Sequence, residues 1–317
     1  MAAIIPPGTV AWGLQLPIQS QSTVYVQPWE AGATSADLGH LARTADRAGA
    51  FYVAVCDHVG VPRPADEKMS DVWYDTMTTL GWLGAQTERV HLLSHVYVLP
   101  YRHPLMTAKA FATLDNLTDG RAILGVGAGH LESEFRFLGV DFESRGRAVE
   151  EAIPVIRAAF ENEYPTVGGP GAESGIGIAP RPARPDGPPI WVGGSSKAAI
   201  RRAARFGDGW LPQGPPPMGT SAAIAFIREE RAAAGLPEAF DIGVTGGAVY
   251  VGEPDFEVEQ YTIKGSADQI LETLAKFTSR GINQIQLRFQ GRSVTEVAEQ
   301  LEAFGSDVAP HFTGTPA

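Results

Sequence analysis

The sequence predicts an α/β protein built as a single (β/α)8 TIM barrel, in which parallel strands alternate with helices. About eight strand and helix pairs follow one another along the chain, the number that closes such a barrel. The length of 317 residues fits one barrel with insertions. The alternative, a doubly wound open sheet, is disfavoured because no Gly-x-Gly-x-x-Gly turn follows the first strand. We therefore predict one domain over residues 1–317, with a Gly- and Pro-rich insertion at about 163–188.

Each element is predicted from its own local pattern. Short apolar runs that end at turn residues predict strands at 10–16, 51–56, 90–99, from 121 into a glycine-rich end, and at 189–192, 209–211, 242–251 and 284–289. Apolar residues at helical spacing predict helices at 35–48, 73–88, 104–117, about 145–160, 195–206, 220–234, 266–280 and 294–308. We expect Pro154 to bend the helix that contains it. A polar insert is predicted at 253–262.

The residue totals limit the classes of partner and compartment. The net charge is -11, with 25 Lys and Arg against 36 Asp and Glu, whereas nucleic-acid binding needs clustered positive charge. No stretch approaches the ~20 apolar residues of a membrane span, and the N-terminus lacks the pattern of a signal peptide. The single cysteine, Cys56, excludes an intrachain disulfide. We predict a cytoplasmic protein that binds neither nucleic acid nor membrane.

The fourth predicted strand carries glycine at every second position of its end, at Gly125, Gly127 and Gly129. Because strand side chains alternate between faces, these glycines clear one face of the strand end. The pattern predicts room for a flat ring lying against backbone. The alternative is that the glycines only ease a tight bend of the barrel.

Three histidines follow or end successive strands: His58 after the second, His95 in the third and His130 after the fourth. In a barrel the active site lies at the C-terminal ends of the strands, so we expect these side chains at one mouth. Imidazole is suited to proton transfer near neutral pH. Taken singly, each histidine has an ordinary alternative role as a loop cap, a core residue or a solvated side chain.

A phosphate site is predicted where the strand at 189–192 runs into a helix through Gly-Gly-Ser-Ser. Unpaired backbone N–H groups at the helix start, from Gly194, Ser195 and Ser196, would favour an anion. Lys197, Arg201 and Arg202 add positive charge nearby. An ordinary serine N-cap is the alternative. A ring slot and a phosphate site together are what a flavin-like cofactor requires.

These residues resemble the luciferase-like monooxygenase superfamily. Residues 91–147 carry the resemblance in Val-Leu-Pro-Tyr-Arg-His-Pro-Leu, Ala-Thr-Leu-Asp-Asn-Leu-Thr-Asp-Gly-Arg, Gly-Val-Gly-Ala-Gly-His-Leu-Glu-Ser-Glu-Phe and Leu-Gly-Val-Asp-Phe. Asp-His at 57–58, Trp-Val-Gly-Gly-Ser at 191–195 and Asp-Gly-Trp at 208–210 extend it. The pattern is most similar to the branch that uses the deazaflavin coenzyme F420, in which a strand-two Asp-His pair is common.

The resemblance implies a bacterial luciferase-like barrel with a cofactor at its mouth, a small-molecule substrate and a homodimer. It places Asp57 against the deazaflavin ring and makes His58 the proton donor or acceptor, with His130 as its rival. It also implies a non-prolyl cis peptide between His95 and Val96 behind the ring. The cofactor-binding residues it implies are Asp57, His95, Val96, Gly127, Ala128, Gly129, Ser133, Gly193, Gly194, Ser195 and Ser196.

The predicted function is therefore F420-dependent hydride transfer between the deazaflavin and a small organic substrate. At His130 the sequence departs from the sugar-phosphate dehydrogenases of the branch, which carry a catalytic glutamate there, so glucose-6-phosphate is disfavoured. Trp29, in a loop at 17–32, and Arg288 are predicted to bind substrate, and a loop at 59–72 is predicted to help cover the mouth. Alternatives are an FMN-dependent monooxygenase of the same superfamily, a metallohydrolase barrel using the histidines, and a non-catalytic cofactor carrier.

Overall fold

A computed structural model describes residues 3–20, 22, 25–61, 69–70, 72–166 and 175–311. The strands are β1 (Ala11–Gln15), β2 (Tyr52–Val55), β3 (His91–Ser94), β4 (Tyr97–Val98), β5 (Ala122–Gly127), β6 (Ile190–Val192), β7 (Gly209–Trp210), β8 (Asp241–Val251), β9 (Ile263–Gly265) and β10 (Gln284–Phe289). The helices are α1 (Ser35–Arg47), α2 (Thr76–Gly84), α3 (Pro104–Leu117), α4 (Glu132–Leu138), α5 (Arg145–Glu161), α6 (Lys197–Phe206), α7 (Thr220–Ala233), α8 (Ala267–Thr278) and α9 (Val294–Ala303).

Eight of the strands close into a parallel barrel, which confirms the predicted fold class. The order around the barrel is β1, β2, β3, β5, β6, β7, β8 and β10, and pairing of β10 with both β8 and β1 closes the ring. The remaining strands, β4 and β9, extend the edges of β5 and β8. All strand pairs run parallel, so their C-terminal ends meet at one mouth.

The interior of the barrel is filled near its N-terminal end and leaves the opposite end open. The side chains inside the strands form one buried cluster: Ile5, Ala11, Tyr52, Ala54, Leu93, Ile123, Trp191 and Leu211. A larger apolar layer lies between the strands and the surrounding helices. Asp241, at the start of β8, accepts hydrogen bonds from the backbone N–H groups of Ile4 at 2.9 Å and Ile5 at 3.2 Å. The N-terminal segment is thereby held across the closed end.

Several elements differ from their predicted bounds for local reasons. The helix predicted at 73–88 begins at Thr76, because the Asp75 side chain caps it by accepting from the Thr78 N–H. The strand predicted at 90–99 is interrupted after Ser94 by a cis peptide bond between His95 and Val96. The helix α4 and the strands β4 and β9 were not predicted as separate elements. The helix predicted at 294–308 ends at Ala303 and continues as a π-helical turn.

The insertion predicted at 163–188 is irregular in the part that the structure describes, and residues 167–174 lie outside that part. Its described end packs across the helices around the closed end of the barrel. Arg181 donates to the Ala159 carbonyl at 3.0 Å, and Arg184 N–H donates to Asp115 at 3.2 Å. Within the described residues, no helix combines the length and the apolar content that crossing a bilayer requires.

Candidate active site

A cavity of about 850 Å³ opens at the C-terminal ends of the barrel strands. This volume lies within the usual range for small-molecule sites. Most of the predicted site residues line it: Asp57, His58, His95, Val96, Gly127, Ala128, Gly129, His130, Gly193, Gly194, Ser196 and Arg288. The three predicted histidines are thus brought to one cavity. Trp29, Ser133 and Ser195 are not among the lining residues.

His58 is held by Glu134, a residue that the sequence reasoning did not identify. The Nδ1 atom of His58 lies 3.0 Å from a carboxylate oxygen of Glu134, which is 1% exposed. Glu134 also accepts from the Val59 N–H at 2.5 Å and from the Tyr101 hydroxyl at 2.8 Å. Burial acts to raise the pKa of Glu134, but the hydrogen bonds from His58, Val59 and Tyr101 outweigh it and lower the pKa below its ordinary value. The ionised carboxylate orients the imidazole and leaves Nε2 as the nitrogen that can exchange a proton.

Two aromatic side chains border His58 on the cavity side. The ring of Trp73 packs edge-on against His58 with centroids 4.4 Å apart, and the ring of His130 lies 5.7 Å away. His130 is exposed at the rim. Its pKa is lowered, first by partial loss of hydration and then by repulsion from His58. His58 therefore lies deeper and in a more defined position than its predicted rival.

Asp57 lines the cavity, yet its carboxylate is occupied by protein groups. The Arg102 guanidinium donates to its two oxygens at 2.6 and 2.8 Å, and the Val98 N–H donates at 2.8 Å. The Thr76 hydroxyl donates at 3.2 Å. The bidentate pair and the Val98 N–H bond together tie the chain that follows β2 to β4 and to the segment after it. Contact between Asp57 and a cofactor ring remains a prediction.

The predicted cis peptide between His95 and Val96 is present, and it changes the interpretation of the alternating glycines. A Cβ atom added at Gly125 would lie 1.9 Å from the Ser94 carbonyl oxygen, and one at Gly127 would lie 2.4 Å from the Val96 side chain. One at Gly129 would lie 2.7 Å from Phe135. The cleared face is filled by protein atoms, so the interpretation of these glycines as a direct ring slot is wrong. They make room for the segment that forms the cavity floor.

Buried polar atoms on that floor lack partners. The His95 side chain is 1% exposed, and burial lowers its pKa to about 4, so the ring is neutral at pH 7. Gln286 lies nearby, but neither the Nδ1 atom of His95 nor the Nε2 atom of Gln286 makes a hydrogen bond of good geometry to the described residues. Unsatisfied buried polar atoms are uncommon, and at a cavity floor they suit a polar ligand edge.

The predicted phosphate site lies at the start of α6, and only some of the residues predicted for it line the cavity. Gly194 has φ of +96°, and the chain beside it turns so that 194, 196, 198 and 199 line the cavity. The Ser196 side chain caps the helix by accepting from the Ala199 N–H at 3.2 Å. Ser195 instead donates its hydroxyl to the Gly214 carbonyl at 2.7 Å, so it positions a neighbouring loop.

Only one of the three predicted cations near this helix start lines the cavity. Lys197 lies over the Phe226 ring at 5.1 Å, and Arg201 pairs with Glu230 at 3.1 Å, so both face α7. Arg202 lines the cavity and pairs with Glu150 at 3.1 Å, while its Nε atom has no partner among the described residues. Arg145, which the sequence reasoning missed, also lines the cavity. These two arginines and the helix start form the basic end of the cavity.

The two predicted substrate residues have different outcomes. Trp29 lies in the short helical segment Pro28–Gly32 and packs against the apolar core, so the structure does not bring it to the cavity. Arg288 lines the cavity but donates to both carboxylate oxygens of Glu259 at 2.9 and 2.8 Å. Ser133 lies in the first turn of α4, outside the lining.

A metal centre was one alternative use of the histidines. Within the ranges that the structure describes, no three His, Cys, Asp or Glu side chains are grouped so that they could share a metal ion. Nδ1 of His58 is engaged with Glu134, and Nε2 of His95 lies 3.4 Å from the Leu211 carbonyl. The histidines share the cavity without converging on one point.

The geometry can be compared with that of known proteins. The profile of the luciferase-like monooxygenases matches residues 13–317. The chain belongs to the luciferase-like monooxygenase family. Among known proteins, the chain is similar to an uncharacterized protein of Mycobacterium tuberculosis, 31% identical over 217 residues, covering 64% of this chain and 74% of the relative. The FMNH(2)-dependent dimethylsulfone monooxygenase of Pseudomonas putida is 26% identical over 247 residues, covering 77% and 63%.

A solved structure with the same fold comes from Methanopyrus kandleri. The coenzyme F420-dependent tetrahydromethanopterin reductase superimposes with a TM-score of 0.71 at 19% identity, covering 96% of this chain and 99% of that chain. The family is one of oxidoreductases and monooxygenases, and its structural and sequence neighbours use either F420 or flavin cofactors. This chain is accordingly an oxidoreductase of luciferase-like type.

The residues of the cavity fit a planar heterocycle with an anionic tail. The floor carries polar atoms on His95 and Gln286 that make no hydrogen bond of good geometry to the described residues, and they are suited to the heteroatom edge of a ring. The basic end, with Arg145, Arg202 and the first turn of α6, is suited to a phosphate group.

Proposed function

We propose that this protein is an F420-dependent oxidoreductase that transfers a hydride between the deazaflavin and a small organic substrate, with His58 exchanging the accompanying proton. The observation that carries the proposal is the pair formed by His58 and Glu134 on the wall of a cavity with a basic end. The strand-two Asp-His pair, which the resemblance associates with the F420 branch, supports the choice of cofactor.

The deazaflavin, when bound, supplies the hydride acceptor or donor. The protein's own groups have three tasks. The amides of α6 with Arg145 and Arg202 would hold the anionic tail, and the segment from His95 to Val96 would support the ring. His58 would hold or release one proton at Nε2, because Glu134 engages Nδ1. Trp73 packs edge-on against the imidazole, and the Tyr101 hydroxyl donates to Glu134, so both help to fix the position of the pair.

An FMN-dependent monooxygenase is a second candidate function, supported by the dimethylsulfone monooxygenase among the relatives. Titration of the full chain with oxidised F420 and with FMN, followed by fluorescence quenching, separates the two. We expect F420 to bind at least ten times more tightly than FMN. Tighter binding of FMN, or oxygen-dependent product formation with reduced FMN, would reject the F420 proposal in favour of the second.

A further inference from the structure

The only arginine at the β10 side of the cavity is already paired, as far as the described residues show. Arg288 makes two parallel hydrogen bonds to Glu259, at 2.9 and 2.8 Å, and Gln290 donates to the same carboxylate at 2.8 Å. The guanidinium also lies over the Tyr25 ring, 4.3 Å from its centroid. Bidentate pairing of this kind fixes the arginine and uses the face that a substrate carboxylate would bind.

The other charged groups on this side are compensated as well. Asp57 is paired with Arg102, and His58 is engaged by Glu134. The basic end at α6 is different, because Arg145 makes no ion pair within the described residues. The ends of β6 and β10 lie three strands apart in the barrel order, so the two sides are distinct. Within the described residues, an arginine that makes no ion pair is therefore found at the basic end, where Glu143 also lines the cavity, and none is found at the β10 side.

The walls around the compensated charges are aromatic and apolar. Tyr25, Trp73, Tyr101 and Met69 line the cavity there, and the remaining polar contacts come from uncharged groups such as Gln15 and Thr245. An ionic ligand entering this side would lose its hydration without gaining a free counter-charge, which is unfavourable. A neutral ligand with a flat apolar face would lose little and gain ring contacts.

We propose that Glu259 is a specificity-determining residue which, by occupying Arg288, selects uncharged substrates with an apolar or aromatic face over carboxylate-bearing analogues of the same shape. The inference rests on the proposed function for the position of the substrate. It assigns a role to the polar insert at 253–262, which brings the Glu259 carboxylate to Arg288, a residue that lines the cavity. It also explains why an arginine lining the cavity does not make the site an anion site.

Binding of a matched pair of probes tests the proposal. Benzaldehyde and 4-formylbenzoate are titrated into the full chain by isothermal calorimetry, first alone and then with saturating oxidised cofactor. We expect the wild type to bind benzaldehyde at least fivefold more tightly than 4-formylbenzoate. Equal binding, tighter binding of the carboxylate, or no binding of benzaldehyde would overturn the proposal.

The variant Glu259→Gln sharpens the test by removing the carboxylate that pairs with the guanidinium. The affinity for 4-formylbenzoate relative to benzaldehyde should rise at least tenfold, and the double variant E259Q/R288Q should return the ratio to the wild-type value. Glu253→Gln is the matched control, because Glu253 pairs with Lys264 at 3.8 Å and does not line the cavity. An unchanged ratio in Glu259→Gln, with a wild-type thermal unfolding curve, would overturn the proposal.

Failure of the proposed function has a different signature. If the deazaflavin does not bind but the probe ratios shift as expected, only the choice of cofactor is wrong. If the deazaflavin binds with the same affinity in all variants and the ratios do not shift, the role of Glu259 is wrong.

Discussion

A buried carboxylate lies at each end of the barrel, and the two have different partners. At the closed end, Asp241 accepts from the N–H groups of Ile4 and Ile5 and from the Trp191 indole at 3.1 Å. At the open end, Glu134 accepts from His58 and Tyr101. Both carboxylates are almost fully buried. The partners at the closed end are backbone and core groups, and those at the open end line a cavity.

The two carboxylates differ in what they hold in place. At the closed end, the carboxylate fixes a chain segment and faces no ligand. At the open end, Glu134 fixes a side chain whose second nitrogen is left for another molecule. On the floor, His95 and Gln286 keep polar atoms without hydrogen bonds of good geometry among the described residues. A buried acid therefore serves stability at the closed end and positions an active-site side chain at the open end. Substitutions at the closed end should mainly change the free energy of unfolding, and those at the open end should mainly change kcat.

The largest effect is expected from His58→Ala. Loss of a group that exchanges a proton in the transition state should lower kcat by about 10²–10⁴-fold. Cofactor affinity should change little, because the groups proposed to hold the cofactor are other residues. The free energy of unfolding should fall by about 1–3 kcal/mol, because the buried Glu134 carboxylate loses a hydrogen-bond partner. Turnover with reduced deazaflavin and a panel of enones and aldehydes, or with oxidised deazaflavin and alcohols, measures the first quantity.

His40→Ala is the control, since His40 lies on α1 away from the cavity. A His58→Ala enzyme with wild-type turnover would show that the pair with Glu134 is structural, and the contrast between the two ends would then fail. Glu134→Gln should lower kcat by less than His58→Ala does, because His58 is still present. The amide has one acceptor oxygen in place of two, so it holds His58 less firmly while it still accepts from the Val59 N–H. The same turnover assay measures this loss.

His95 should make the open end sensitive to acid. Its folded pKa of about 4 lies below its ordinary value of 6.5, so its contribution to stability is full above pH 6.5 and is lost as the pH falls towards 4. Between pH 7 and pH 4.5 this loss amounts to about 2 kcal/mol. Urea unfolding of the wild type and His95→Gln at both pH values should show the difference between them shrink by that amount. A constant difference would contradict the assignment.

Asp241 should show the opposite slope at the closed end. Its pKa is raised to about 6 by burial, so the folded state holds a proton more tightly and stability falls as the pH rises from about 3.8 to 6. In Asp241→Asn an amide donor would face the N–H groups now bound, which should lower the free energy of unfolding at pH 7 by about 2 kcal/mol. The deficit should grow at pH 4.5. A deficit that shrinks on acidification would reverse the sign argued for this carboxyl.

The fold was predictable because apolar runs and helical spacing are local signals. The strand at 284–289 and the helix at 104–117 have the bounds that the sequence predicts. The seven-residue α4 and the three-residue β9 were missed because segments of that length carry too little periodicity. The interruption at His95 was implied by the family resemblance and was not visible in the strand pattern.

The site was predictable only in part, for a related reason. Asp57, His58 and His130 follow strand ends, and the barrel topology places such residues at one mouth. Glu134 was missed because its contacts with His58 and Val59 join positions about 75 residues apart in the chain. Arg145 was missed because it is the first residue of α5, and no local pattern shows that the start of this helix lies at the cavity. The pairing of Arg288 with Glu259 depends on the path of the polar insert, which composition alone does not determine.

The packing of Trp73 against His58 provides an optical readout of the active site. The sequence has six tryptophans, but among the described contacts Trp73 is the one whose ring touches this imidazole, at 4.4 Å between centroids. A ligand that displaces the His58 ring, or its removal in His58→Ala, would change the surroundings of this indole. Steady-state tryptophan emission would thus report events at the site without an added dye or any turnover.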